Sequence, residues 1–136
     1  MTWNWRPDEY FDYIHARSTS GGVQNFRRLF HEAFQCMKPN GWVEIQEDEG
    51  QIHSQNKSME NTAWINPWQQ RLIKASLEFG KSLTCVPQLK QLMEDAGFVD
   101  VHEKKQRVSV LTSRYLSLST VLSECNVFIG TDRVLA

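Results

Sequence analysis

Leu29-Phe30-His31-Glu32-Ala33-Phe34-Gln35-Cys36-Met37-Lys38-Pro39-Asn40-Gly41-Trp42-Val43-Glu44-Ile45-Gln46-Glu47 changes its hydrophobic period partway along, and that change decides the fold. With Val23 and Phe26 upstream, the residues Leu29, Phe30, Ala33, Phe34 and Met37 step by three and four, as one face of a helix does. The spacing predicts a helix over 23–37, with Arg27, Arg28, Glu32 and Gln35 on its other face. Lys38-Pro39-Asn40-Gly41 then supplies a cation, a breaker and a turn in the order a helix terminus wants. Trp42 to Glu47 reads as a strand.

Working outward, Tyr10-Phe11-Asp12-Tyr13-Ile14-His15-Ala16-Arg17 has the β-branched and aromatic content of a short strand, entered past Pro7-Asp8. Downstream, residues 48–63 lack periodicity and are rich in acid, amide and serine, which predicts a long connection serving as a lid or rim. Asn66 as cap and Pro67 as first residue open a helix through Trp68, Leu72, Ile73, Ala75, Ser76 and Phe79, ending at Gly80. A further helix follows Pro87 with the stripe Leu89, Leu92, Met93 and Ala96, and Gly97 stops it before the alternating strand Phe98–Glu103. Arg107–Thr112 is placed as a hairpin partner of that strand. The order is strand, helix, strand, helix, helix, strand: an α/β pattern with helices long enough to cover both faces of a mainly parallel sheet. Residues 113–136 specify no element.

The chain has 136 residues, about one domain's length, with 40% apolar and 23% charged side chains. This excludes a disordered chain, and no apolar run approaches the roughly 20 residues a bilayer span needs. Fifteen basic against sixteen acidic residues give a net charge of -1, so no global field draws nucleic acid or anionic lipid. Cys36, Cys85 and Cys125 are far apart and form neither a disulfide framework nor a zinc knuckle, which points to a reducing cytoplasm. The N-terminal residues lack a signal-peptide stretch, so Asn56-Lys57-Ser58 is expected to be an unused sequon.

Three stretches, Phe11–Arg17, Leu29–Glu47 and Leu92–Val101, together resemble consecutive parts of a class I S-adenosylmethionine-dependent methyltransferase, in the fungal branch associated with secondary metabolism. The resemblance covers roughly residues 5–108. It implies a Rossmann-like sheet of strand order 3-2-1-4-5-7-6, of which this chain supplies strands 4, 5 and 6, with 7 left open. The expected fold is thus a partial α/β methyltransferase sheet with flanking helices over 1–112, completed by dimerisation, and a divergent tail over 113–136. The family's glycine-rich turn and its ribose-binding acid belong to strands ahead of Phe11, and Gly21-Gly22 does not replace that turn, because it follows strand 4 and lacks the G-x-G spacing.

From this follow expectations about function. Without the glycine turn, no cofactor is expected, S-adenosylmethionine entering only if a partner supplies the other half. The chain then acts on a small organic molecule of secondary metabolism as a cyclase or isomerase. The alternatives are half of a split methyltransferase needing an N-terminal partner, and a non-catalytic interaction module. Strand 4 becomes an open edge that a second copy or a partner chain should cover. Ligands of open α/β sheets sit beyond the carboxyl ends of the strands, which selects His15, Arg17 and Glu47. His15 can exchange a proton, Arg17 can clamp a carboxylate or enolate, and Glu47 can act as base or acceptor; alternatively His15 and Arg17 satisfy turn carbonyls. Ile52, Met59, Trp64 and Trp68 either line an apolar substrate pocket or pack a helix onto the sheet, and Trp3 and Trp5 carry the same two readings. The acidic cluster Glu44, Glu47, Asp48 and Glu49 lacks calcium-loop spacing, and His31, His53 and His102 lack zinc spacing. Cys36 is read as packing.

Overall fold

The computed structural model describes residues 10–54, 64–109 and 121–131. Strand β1 (Phe11–Arg17) leads through a loop to helix α1 (Phe26–Gln35), strand β2 (Met37–Ser54), helices α2 (Ile65–Glu78) and α3 (Val86–Asp95), and strands β3 (Val99–Ser109) and β4 (Val121–Thr131). The sheet order is β1-β2-β4-β3. β1 and β2 are parallel, and β4 runs antiparallel to both β2 and β3. This is the 4-5-7-6 end of the sheet that the family resemblance implies. The open seventh strand is therefore present as β4, supplied by the stretch 113–136 that had no element. Residues 107–109 extend β3 itself, and its antiparallel partner is β4 rather than a local hairpin.

Helix α1 is shorter than the periodicity suggests because its caps lie inside the apolar run. The Asn25 side chain accepts a hydrogen bond from the Arg28 backbone N–H at 2.9 Å, and Met37 already pairs with Phe11 in the sheet. Val23 belongs to the preceding loop, its N–H donating to the Thr19 carbonyl. The Lys38–Gly41 turn is absorbed as a bulge: between the Phe11–Met37 and Tyr13–Trp42 pairs, β2 carries three more residues than β1, with Asn40 left-handed. A second irregularity between Asp48 and Ile52 contains Gly50 at φ +66, where a Cβ would lie 2.2 Å from the Leu83 carbonyl oxygen. Residues 48–54 are thus strand rather than connection. α2 begins at Ile65, so Asn66 and Pro67 lie within its first turn and Asn66 does not cap it.

Among the described residues, α1 and α3 cover one face of the sheet. Phe26, Phe30 and Ala33 of α1 and Val86, Leu89 and Met93 of α3 bury against Met37, Val43, Ile45 and Val101 of the sheet, with Ile14 and Ala16 half-buried beside them. Gly97, at φ +105, ends α3 and lets Phe34 approach to pack edge-on against Phe98. Alternation sends Tyr13 and Trp42 to the opposite face, where both are about half exposed. The expectation of helices on both faces is corrected: α1 and α3 share one core on one face. No helix among the described residues is long and apolar enough to cross a membrane.

Candidate functional site

The carboxyl ends of β1 and β2 bring together two of the three expected residues. His15 and Arg17 are exposed neighbours on β1, set beside Glu44 and Gln46 of β2. His15 stacks on Tyr13, ring centroids 6.2 Å apart, and the Tyr13 hydroxyl donates to Glu44 Oε2 at 2.5 Å. That bond to a carboxylate pushes the Tyr13 hydroxyl above its ordinary pKa. Neither Tyr13 nor Glu44 stands out in the sequence. The signal was available in the i, i+2 spacing of Tyr13 and His15 on one strand.

Glu47 lies on the other face and is 1% exposed. Its Oε1 accepts hydrogen bonds from the Thr19 N–H at 2.6 Å and the Thr19 hydroxyl at 2.5 Å, and its Oε2 accepts from the Ser20 N–H at 3.1 Å. The acceptor capacity assigned to substrate is therefore spent within the chain, where it holds the loop after β1 against β2. Position 47 continues the core-facing series Val43 and Ile45, which is why it is buried. Cys85 is buried nearby, and burial, followed by the Glu47 carboxylate, pushes its thiol up from 9.0 to about 11. A thiol so raised is a poor nucleophile at neutral pH. Cys36 is half-buried.

A cavity of about 760 Å³ opens along β1. Ile14, Ala16, Val23 and Leu29 give it an apolar wall, and His15, Arg17, Arg28 and Lys81 give it cationic or protonatable edges. Arg28 is paired with Glu32 at 2.7 Å, whereas Arg17 and Lys81 have no ion-pair partner among the described residues. Lys81, on the loop between α2 and α3, carries no pattern that sequence reading could detect. The second expected pocket does not form here. Trp64 and Trp68 are 68% and 50% exposed and stand apart from the cavity. Ile52 is half-buried, and its N–H donates to Gln69 Oε1 on α2 at 3.0 Å. Met59, Trp3 and Trp5 lie outside the described residues. Alternation puts Glu44 and Glu47 on opposite faces, and Glu49 contacts Lys105 at 3.5 Å; among the described residues no three metal-ligating side chains converge.

Whether these residues can cradle S-adenosylmethionine is answered by the glycines. A Cβ on Gly21 would meet only Leu83 Cδ2 at 3.9 Å, and one on Gly22 only the Thr19 carbonyl at 3.4 Å. Neither has the left-handed backbone or close approach that marks a cofactor turn. Glu47, the buried acid at this end, is already bonded. The described residues do not by themselves form the cradle.

A family model described as a methyltransferase domain matches residues 2–103. Methyltransferase pytC of Aspergillus terreus is 22% identical over 107 residues, 79% of this chain and 33% of the relative. The secondary metabolism regulator LAE1 of Cochliobolus heterostrophus is 24% identical over 74% of this chain and 33% of the relative. The chain thus spans about a third of the length of these curated relatives. Among solved structures, a SAM-dependent methyltransferase from Thermotoga maritima matches with TM-score 0.58 at 20% identity, over 93% of this chain and 58% of its own. Phosphoethanolamine N-methyltransferase 2 of Haemonchus contortus, in complex with S-adenosyl-L-methionine, matches at 0.54 and 15% identity, over 96% and 35%. These likenesses establish a shared fold. They also overturn the expectation of cofactor-free chemistry: the matching family is one of methyltransferases, and matched chains are SAM-dependent or hold S-adenosylmethionine. No described residue selects cyclisation or isomerisation.

Proposed function

This chain belongs to the methyltransferase domain family, and from that premise we propose that it forms the strand-4-to-7 side of a SAM-dependent methyltransferase acting on a small organic molecule of fungal secondary metabolism. The complementary side of the sheet, with the glycine-rich turn, docks along β1. One observation carries this reading: among the described residues β1 is the outer strand of the sheet, hydrogen-bonded to β2, and the apolar wall of the cavity lies directly alongside it. An edge strand with half-buried aliphatic residues beside it is a template for another strand.

In the assembled enzyme His15 and Arg17 face the substrate. Arg17 offers a fixed fork of donors to a carboxylate or enolate, and the His15 imidazole can donate or accept a hydrogen bond beside it. Glu47 acts at one remove, by shaping the loop that carries Thr19 and Ser20. The free thiols of Cys36 and Cys85 suit a reducing cytoplasm.

The test is co-expression with a polypeptide carrying the first three strands of a relative, followed by assay of labelled methyl transfer from S-adenosylmethionine to a panel of phenols, acids and amines. Association and transfer are expected. Arg17→Ala should lower kcat/KM by about 10- to 100-fold while leaving association intact. A complement that fails to associate, or an assembly that transfers methyl groups as well with His15→Ala/Arg17→Ala as without, contradicts the reading.

A further inference from the structure

Helix α2 carries an apolar stripe that the fold leaves uncovered. None of its residues is buried, and Trp64, Trp68, Leu72 and Phe79 are 68%, 50%, 42% and 77% exposed. At 3.6 residues per turn, Trp64, Trp68, Leu72, Ala75 and Phe79 fall within an arc of about 80°. Gln69, the residue that ties α2 to Ile52 of β2, lies well to one side of that arc. Tethering and stripe therefore use different faces of the helix.

We propose that this stripe is the contact between two copies of the chain, with α2 packing antiparallel against α2 of its partner about a two-fold axis near Leu72. The order of side chains favours a second copy over an unrelated occupant. In the antiparallel arrangement Trp64 meets Phe79 of the other copy, Trp68 meets Ala75, and Leu72 sits at the axis. Trp68 lies over the small Ala75 on each side of the axis, the Trp64–Phe79 pairs close the two ends, and the same contacts recur by symmetry, as an isologous interface requires. The size agrees. With about 150–250 Å² for each fully buried aromatic side chain, the exposed fractions leave about 500 Å² per copy. Two copies bury about 1,000 Å², the lower bound for a specific interface, which fits a reversible dimer of micromolar affinity. A monomer seldom displays a contiguous apolar patch of more than a few hundred Å².

Arg71 flanks the stripe next to the axis, so the two copies bring like charges together there. Raising the salt should therefore strengthen the dimer, opposite to an association driven by ion pairs. This interface is independent of the β1 edge and of the reading of the site.

Sedimentation equilibrium of the whole chain between about 1 and 200 µM tests the proposal. A monomer–dimer equilibrium from the 15.9 kDa chain is expected, tightening with salt. Trp68→Glu and Leu72→Glu should each weaken it at least tenfold, on the order of a hot-spot loss, with the circular dichroism spectrum unchanged because neither side chain belongs to the core. Ala75→Trp should weaken it too, by filling the notch. Asp12→Lys, at an exposed side chain of β1, should leave the dimer constant unaltered. A strict monomer at 200 µM, or a dimer that survives the α2 variants, overturns the proposal.

Discussion

Glu47 shows how a carboxylate at a strand end can spend its acceptor capacity within the chain. Its place at the end of β2 draws attention as a catalytic base, yet the alternation Val43, Ile45, Glu47 already puts it on the core side, where a charge persists only with partners. Thr19 and Ser20 provide them. Glu47→Gln turns an acceptor toward N–H donors and should destabilise the chain by about 1–3 kcal/mol in urea unfolding; no measurable loss would deny the latch. Its neighbour Cys85 makes a pH prediction. The folded state holds the thiol proton up to about 11 against an ordinary 9.0, so the stabilisation is complete below pH 9 and is lost as the pH rises through 11. Wild-type protein should therefore lose stability more steeply than Cys85→Ala between pH 9 and 11, as followed by denaturation midpoints. Parallel curves would contradict the assignment. His15 and Arg17 were legible because a strand end is visible in sequence. Lys81 was not, because only the tertiary fold carries it to the same cavity.

Among the elements, α1, α3 and the Gly97 stop were legible because period, cap and breaker agree over a short span. β4 was not. It inserts between β3, its neighbour in sequence, and β2, whose residues lie about 70–90 positions away, and such pairing leaves no local period to read. The apolar residues of α2 were visible as a helix, but periodicity does not distinguish a face packed on the same sheet from one kept for another molecule. Glycine offers a test at this scale. Gly50→Ala should cost at least about 2 kcal/mol, since a methyl group would collide with the Leu83 carbonyl at a left-handed backbone position. Gly21→Ala, with open space and an ordinary backbone, should be close to neutral. Thermal melts of the two variants check the contrast, and equal melting temperatures would refute it. Asn25→Ala should remove about 1 kcal/mol through loss of the α1 cap.

For the whole molecule, the order β1-β2-β4-β3 of the described strands is that of one end of a methyltransferase sheet, with helices α1 and α3 on one face, Tyr13 and Trp42 half exposed on the other, and β1 as the outer described strand beside an apolar cavity. Each of these surfaces is what would be left if a doubly wound sheet were divided between its first and fourth strands. Hydrogen exchange read by mass spectrometry across β1 tests this most directly, because edge amides open at low cost until another strand pairs with them. In the chain alone, β1 should exchange faster than the flanked core of β2; with the polypeptide carrying the first three strands bound, exchange across β1 should slow by at least about tenfold. A β1 already as protected as β2, or one whose exchange is unchanged by the complement, would contradict the account.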